Sequence, residues 1–537
     1  MSRKNPRRLL PLARSAAAAW LATLACTTLA QGVLLEVRQY TLEGQNPLSE
    51  QETQAILAPH LGQHTSLSTI EAAANALEAA MRERGYSFHR VIVPAQRPEG
   101  GVIKLQILQF SIAQVTVTGN QHFSSENVLR SLPALEAGKT PDLREISRDL
   151  SLANEHPAKR LTVNIRESQT PDALDAEVRV LDVPSQQVFL ALTGGTRDVD
   201  NTINQNTGYT RLTLGYQNSN LFDRDHALTA TYTTSPDHIE DVQQFGFFYW
   251  LPFYGYNTAL RAFWTRSDID TGTVGVGGQS FAVTGRGDFY GLNATYALPK
   301  FGAMMHHITA GIEDRYFKNT VGVTGAPIQS PAVSSRPFAL RYTARAEQLE
   351  YGIGGFLEYV TNVGGGRAGN DTAYNAARFG ASHSWDAFRY GIDANYTFGA
   401  GWSAVGRLRG QQANDPLIPG EQFGIGGPFS VRGLRDREIA GDKGYSLNLE
   451  LYTPGWEGIQ PFVFYDAGWR KYVTTVAGIP DSDSASSIGV GARWAWEKKL
   501  EVSASLATVL NGVSLGPGVN ATDSGHVKLN FALFYRF

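Results

Sequence analysis

The chain has 537 residues, including 55 glycines, 22 tyrosines, 26 phenylalanines, 9 tryptophans and one cysteine, Cys26. Its mean hydropathy of −0.22 argues against a helical membrane protein, because each spanning helix needs about 20 consecutive apolar residues. With 47 basic and 50 acidic residues the net charge is −3, and nothing in this balance points to a nucleic-acid partner.

The first 30 residues predict an export signal. Basic residues precede the apolar stretch Ala16–Ala30, and small residues at its end suit cleavage after Ala30. The rival interpretation is a lipoprotein signal in which Cys26 is acylated, but Thr23 stands where such signals usually have a branched apolar residue. Cleavage after Ala30 removes the one cysteine, so we expect neither disulfides nor thiolate metal sites.

One module is used twice between residues 33 and 183. Gly44 and Gly62 of the first copy correspond to Gly119 and Gly138 of the second, at an offset of 75 to 76 residues. Each copy mixes strands with amphipathic helices and predicts the element order βααββ.

Capping signals define the helices of these modules. Ser49 and Glu52 form a capping box that opens the first helix, and Gly85 is placed to end the second. The elements predicted for the first copy are a strand at 35–39, helices starting after Ser49 and at Ser68, and strands at 91–93 and 102–108. Those predicted for the second copy are a strand at 112–117, helices starting after Ser124 and at Asp142, and strands at 161–165 and 176–181.

From residue 186 onwards, short alternating segments separated by turn residues replace the helical spacing. In the last segment every second residue from Val527 to Phe537 is apolar or aromatic. A face for lipid opposite a face for water is typical of a transmembrane β-barrel, and a soluble sandwich or propeller does not explain the terminal aromatic Phe537. At about 10 residues per strand plus connections, 186–537 gives about 16 to 18 strands, and we predict sixteen.

Motifs for bound cofactors are weak in this sequence. Residues 133–140, PALEAGKT, end like a phosphate-binding loop, but Pro133 replaces the first glycine that such a loop needs. His306 and His307 are adjacent and would point to opposite faces of a strand. We therefore predict no metal, nucleotide or other cofactor, and we find no catalytic grouping that would indicate an enzyme.

Two segments, 422–434 and 461–469, are the most informative. The alternation at 461–469 places Val463 and Tyr465 on the lipid face and Asp466 on the lumenal face. A buried carboxylate needs a partner cation, for which Arg432 is the natural candidate; alternatively both are solvated lumenal charges, as we expect of Arg407 and Arg409. The candidate site residues are Val431, Arg432, Gly433 and Leu434 in the first segment, and Phe464, Asp466 and Gly468 in the second.

These motifs resemble those of the outer-membrane transporters of two-partner secretion, the haemolysin and filamentous-adhesin secretion and activation family of the POTRA-barrel superfamily. The resemblance extends to Gly85-Tyr86, to 90–96, to 115–119 and to 152–154 in the two modules. It implies a signal peptide at 1–30, POTRA domains at 31–109 and 110–185, and a sixteen-stranded barrel at 186–537. It also implies a loop, around 423–444, that folds into the lumen and sets Arg432 against Asp466. Leu434 stands where that family more often has an aromatic residue.

The same resemblance implies that the chain captures an unfolded exoprotein of adhesin or cytolysin type in the periplasm and exports it through the barrel to the cell surface. The POTRA sheets would recruit the partner by β-augmentation. The expected surroundings are the lipid bilayer of the outer membrane, without nucleotide or nucleic acid. Only Gln31 and Gly32 separate the predicted cleavage site from the first strand, so we expect no helix that plugs the barrel.

Two other functions compete with export. An assembly or translocation factor of the same superfamily would insert membrane proteins, but three or five POTRA modules would favour it and we count two. A passive porin would lack the periplasmic repeats at 33–183.

Overall fold

The computed structural model describes residues 35–196, 209–236, 238–240, 242–267, 271–276, 279–284, 286–318, 332–475, 478–497, 499–516 and 520–537. The predicted export signal lies outside these residues. One compact unit takes in the chain up to Met81 together with His89–Leu108, and the other comprises Arg82–Phe88 and Gln109–Phe537.

The first module contains the predicted helices and sheet. Ser49 and Glu52 cap α1 as predicted, each side chain accepting a hydrogen bond from the other residue's backbone N–H. The sheet has the order β2–β5–β4, with β2 parallel to β5. The elements are β1 Leu35–Val37, β2 Gln39–Glu43, α1 Glu50–Leu57, β3 Gly62–His64, α2 Leu67–Glu83, β4 His89–Ile92 and β5 Val102–Gln109.

The prediction of one continuous strand at 35–39 was wrong. The strand breaks at Arg38, whose N–H donates to the carbonyl of Gly101 at 2.8 Å. This contact turns the chain, so that β1 pairs with β3 while β2 pairs with β5. The strand β3 was not predicted, and the order βααββ therefore omits one small sheet of this module.

The second module has the predicted order βααββ. Ser124 and Asp142 cap its helices through their side chains. The sheet has the order β6–β8–β7, which leaves β6 and β7 as its edge strands. The elements are β6 Ser111–Thr118, α3 Ser125–Arg130, α4 Leu143–Ala153, β7 Lys159–Glu167 and β8 Ala173–Asp182.

The rest of the chain forms a closed antiparallel barrel. The strands β18 and β19 both pair with β17 and are separated by Arg336 alone, so they count as one and the described residues form sixteen barrel strands, as predicted. The barrel strands are β9 Gln186–Gly195, β10 Thr210–Leu221, β11 His226–Thr234, β12 Gln244–Phe253, β13 Thr258–Ser267, β16 Gly287–Ala297, β17 Met304–Phe317, β18 Val333–Ser335, β19 Pro337–Glu347, β20 Tyr351–Asn362, β21 Asp386–Phe398, β22 Trp402–Ala413, β25 Lys443–Tyr452, β26 Ile459–Lys471, β27 Ser482–Trp496, β28 Leu500–Asn511 and β29 Val527–Arg536.

The remaining elements lie in connections between barrel strands. They are the hairpin of β14 Thr271–Val276 and β15 Gln279–Thr284, the helix α5 Asp371–Ala377, and the hairpin of β23 Phe423–Ile425 and β24 Ile439–Gly441. No helix among the described residues is both long and apolar enough to span a membrane.

The barrel closes where β29 pairs with β9. Phe537 follows β29 directly; its N–H donates to the carbonyl of Val188 in β9 at 2.9 Å, and its ring meets the Tyr535 ring edge to face. We call the end at which the chain passes from the second module into β9 the near end, and the opposite end the far end. The connection between β22 and β25, residues 414–442, starts from the far end.

Candidate functional site

The connection 414–442 is held inside the barrel by a cluster of buried apolar side chains. Its hairpin, β23 with β24, encloses the segment 426–438. Val431 and Leu434 of this segment are buried, and they pack with residues of β27 and of the connection between β28 and β29. The cluster consists of Ile425, Val431, Leu434, Ile439, Ala485, Val513 and Leu515. We call residues 414–442 the lumen loop.

Arg432, near the tip of the lumen loop, forms a bidentate salt bridge with Asp466 of β26. Its Nε donates to Asp466 Oδ2 at 2.7 Å and its Nη2 donates to Asp466 Oδ1 at 2.8 Å. The backbone N–H of Arg432 also donates to Oδ2, at 3.1 Å. Two parallel charge-assisted bonds fix both the distance and the plane of the guanidinium group. The structure thus brings together the two charges that we singled out, and both are buried.

Sequence reasoning missed a second acid at this site, Glu450 of β25. Its Oε1 accepts from Nη1 of Arg432 at 2.8 Å, and its Oε2 accepts from the Tyr452 hydroxyl at 2.7 Å. Arg407 and Arg493 lie 3.4 and 3.3 Å from the same Oε2. Two carboxylates and three guanidinium groups therefore form one network, which disperses charge that would be costly to bury alone.

The expectation that Arg407 and Arg409 are merely solvated was wrong. Arg407 belongs to the network around Glu450. Arg409 forms an ion pair with Asp393 at 2.7 Å, between β22 and β21. Both arginines lie on β22 and form ion pairs with acids on neighbouring strands, and the linear sequence does not show which strands are paired.

The remaining surroundings of Arg432 are an aromatic ring and an amide. Its guanidinium carbon lies 3.5 Å from the centroid of the buried Phe464 ring, a close cation–π contact. The Asn448 amide donates to Asp466 Oδ1 at 2.8 Å and to the carbonyl of Ser430 in the lumen loop. Phe464 and Asn448 thus hold the two halves of the ion pair in place.

Gly433 and Gly468 are explained by close approach. Gly433 has φ +99°, and a Cβ there would lie 2.8 Å from Cγ2 of Val509 in β28. A Cβ on Gly468 of β26 would lie 2.6 Å from Cγ2 of Ile425 in the lumen loop. Any larger residue at either position would push the loop away from the wall.

Three further acids anchor the lumen loop along its length. Glu438 accepts from the Arg435 side chain at 2.6 Å and from the backbone and hydroxyl of Thr522, ahead of β29. Glu421 pairs with Arg315 of β17 at 2.7 Å. Asp442 pairs with Arg378 and accepts from the backbone of Leu417 and Val473. Apart from the pair of Arg435 with Glu438, the partner side chains lie 64 to 106 residues away, so no local pattern could have identified those contacts.

The weak cofactor motifs have structural partners instead. His306 contacts Tyr342 and the carbonyl of Pro299, whereas His307 contacts Glu155 and Ser151. In the part of the chain that the structure describes, no group of three or more His, Cys, Asp or Glu side chains could hold a metal ion.

Comparisons with known proteins identify the family of this chain. The family model for haemolysin secretion/activation protein ShlB/FhaC/HecB matches residues 187–493, and the model for a ShlB-type POTRA domain matches residues 35–109. The outer membrane transporter CdiB of Dickeya dadantii is 24% identical over 441 residues, which cover 80% of this chain and 74% of the relative. The heme/hemopexin transporter protein HuxB of Haemophilus influenzae is 20% identical over 484 residues, 86% of this chain and 81% of the relative.

Solved structures share the fold. CdiB from Escherichia coli superposes with a TM-score of 0.74 at 17% identity, covering 96% of this chain and 93% of the other. CdiB from Acinetobacter baumannii gives a TM-score of 0.66 at 16% identity, covering 94% and 90%. Since the first family model spans more than half of the sequence, the chain belongs to the ShlB/FhaC/HecB haemolysin secretion/activation family, the two-partner secretion-type transporters of the outer membrane with POTRA domains in the periplasm.

Proposed function

We propose that this chain captures an unfolded exoprotein of adhesin or cytolysin type in the periplasm and passes it through the barrel to the cell surface. The observation that carries the proposal is the lumen loop, which a buried ion pair between Arg432 and Asp466 holds inside a closed sixteen-stranded barrel. Membership of the family also supports export, as do the names of the relatives, which are transporters. The protein would act by conducting a polypeptide, without catalysis.

The two modules are the proposed receptor for the partner. Each contains a three-stranded sheet with two edge strands, and the edges of the second sheet are β6 and β7. An extended chain can add to such an edge through backbone hydrogen bonds, while alternate side chains select sequence. An unfolded partner offers free backbone groups of this kind, whereas a folded one has already paired them.

The lumen loop is the proposed guide for the passing chain. It is tied to β26 through Asp466, to β17 through Glu421 and to the segment before β29 through Glu438. Loss of one tether leaves the others, so the loop should stay in the barrel but lose its defined position. We infer that export depends on this position, because a loop that is no longer held against the wall would obstruct the lumen through which the partner passes.

Export of the protein encoded beside this transporter tests the proposal. Cells carrying the full chain should release that protein into the medium, and cells carrying Arg432→Ala should retain it in the periplasm with an equal amount of folded barrel. Arg409→Ala is the matched control, because Arg409 is also a lumenal arginine but pairs with Asp393 away from the lumen loop. A normal secreted protein together with a depleted set of outer-membrane proteins would favour the assembly function instead.

A further inference from the structure

The second module shares a hydrophobic core with the near end of the barrel. Phe123 and Ala158 of the module are buried in one cluster with barrel residues from the first strands. The barrel members of this cluster are Ala227, Trp250, Tyr254, Ala259 and Ala297. Module and barrel rim are therefore not joined only by the chain between β8 and β9; they are packed together like two parts of one domain.

A buried ion pair lies within this contact. Lys159, the first residue of β7, places its Nζ 2.5 Å from Oδ2 of Asp225 in the turn between β10 and β11, and both side chains are at most 1% exposed. The ammonium also donates to Asn127 Oδ1 at 2.7 Å, and the Tyr254 hydroxyl donates to Asp225 Oδ2 at 2.6 Å. Removing either charge would leave the other buried without the partner that compensates it.

The turn that carries Asp225 has an unusual backbone. Phe222, Asp223 and Asp225 have φ values of +61°, +54° and +62°, a region that residues other than glycine seldom adopt. The second module holds this turn in place, because Ser124 donates to the Asp223 carboxylate at 2.7 Å and Arg130 donates to the Asp223 carbonyl at 2.7 Å. Such a backbone persists where its surroundings determine it.

Two further contacts fix the orientation of the module as well as its position. Nε2 of His156 lies 2.6 Å from the carbonyl of Ser219 at the end of β10. Glu155, after α4, lies 3.0 Å from Nε2 of His307 in β17. The module thus contacts β10, the turn at Asp225, Tyr254 and β17, and a rotation that keeps one of these contacts would strain or break others.

We propose that Lys159 and Asp225 are positioning residues that lock the second module in one orientation on the near rim, and that this lock stays closed while the partner passes. The first clause concerns the resting molecule, and the second rests on the export function proposed above. The partner then meets a rigid platform, and the movements that export requires occur elsewhere in the chain.

Crosslinking of the full chain in outer membranes tests the lock. Cysteines replace Ser124 and Asp223, whose side chains are in contact, in a Cys26→Ser background, and a short reducible bifunctional thiol reagent joins them. Lys159→Ala should lower the crosslink yield about fivefold or more with the heat-modifiable barrel unchanged, because it leaves Asp225 buried without its cation. Lys159→Met combined with Asp225→Asn should restore the yield, because this neutral pair leaves no charge buried and asparagine tolerates the positive φ of residue 225. Lys139→Ala is the control, since Lys139 forms an exposed ion pair with Glu136 in the same module.

Export of the protein encoded beside the transporter is then measured with the crosslink closed and after reduction. In the parent protein, export should be as high with the crosslink closed as after its reduction. In the Lys159→Ala background, export should be normal with the crosslink closed and should fall after reduction. An unchanged crosslink yield in Lys159→Ala, or export that stops when the crosslink closes, would overturn the proposal. Absence of export from the uncrosslinked parent would instead contradict the proposed function, and the yields would still decide whether Lys159 and Asp225 hold the module.

Discussion

Arg432 makes contacts that a lysine could not combine. Its planar group binds both oxygens of Asp466, reaches Glu450 and covers the Phe464 ring. An ammonium group has no plane to stack and no fixed pair of parallel donors. The arginine therefore determines where the tip of the lumen loop lies and how it is oriented, which is the property that export would need.

Arg432→Ala and Asp466→Ala should each reduce export at least about tenfold, since each breaks the bidentate pair, and removing one partner of a buried pair costs about 3 to 5 kcal/mol. The double variant should lose less than the two single losses combined, because the residues act in one network. The measurement is exported partner divided by heat-modifiable barrel, with Arg409→Ala as control. Fully additive losses would show that the two charges act independently.

His156 should make the docking of the second module sensitive to acid. Burial lowers the pKa of His156 to about 4, with Asp225 opposing and Lys159 and Arg160 adding to that effect. Its Nε2–H donates to Ser219 and its Nδ1 accepts from the N–H of Ala158, so the docked ring is neutral. Because the pKa is lower in the docked state than the free value of about 6.5, the stabilisation is complete above pH 6.5 and is lost as the pH falls towards 4.

Between pH 7 and pH 5 this loss amounts to about 2 kcal/mol. Hydrogen exchange of the backbone around residues 156–163 should therefore become faster relative to the barrel strands at pH 5, after correction for the intrinsic rate. His156→Gln keeps a donor and an acceptor but does not titrate, so its protection should vary less with pH. Equal pH dependence in both proteins would show that another group is responsible.

At the scale of elements, local signals predicted what local chemistry determines. The capping residues Ser49, Ser124 and Asp142 identify helix starts because each satisfies backbone N–H groups next to it. Alternation along 461–469 located Asp466 on the lumenal face, because successive side chains of a strand point to opposite sides. The break at Arg38 could not be predicted, since its cause is the carbonyl of Gly101, 63 positions along the chain.

The candidate site divides in the same way. The two short motifs contain Arg432 and Asp466, but Glu450 carries no motif of its own and joins them only through the pairing of β25 with β26. Lys159 and Asp225 are 66 residues apart, the first in the second module and the other in the barrel. Their contact depends on where the second module docks, and neither composition nor periodicity records that.

Gly468→Ala should displace the lumen loop without opening the barrel. The added methyl group would lie 2.6 Å from Ile425 and 3.2 Å from Val431, and such overpacking costs about 1 to 3 kcal/mol. We expect reduced export and faster proteolysis of the loop at Arg435. Gly406→Ala is the matched control, because its methyl group would meet only Leu449, at an ordinary distance of 3.5 Å. Equal behaviour of the two variants would mean that the wall does not need glycine at 468.

At the scale of the whole molecule, the second module belongs with the barrel and the first forms most of a unit of its own. The boundary between the two modules therefore differs from the boundary at residue 184, between the second module and the barrel. Deleting only the first module should expose little of the core around Trp250. Deleting both modules removes the apolar partners of Trp250 and Tyr254 and the cation that pairs with Asp225.

Deletion of residues 35–108 should therefore leave a folded second module on a heat-modifiable barrel, in near-normal amount but without export, because half of the proposed receptor is missing. Deletion of residues 35–183 should still give an inserted barrel, since strand closure satisfies its backbone, but in lower amount and with greater sensitivity to protease at the near end. The measurements are barrel abundance in outer-membrane fractions, the shift on heating, and partner in the medium. Export by the shorter deletion would assign recognition to the second module alone, and equal barrel amounts in the two deletions would show that the shared core contributes nothing to assembly.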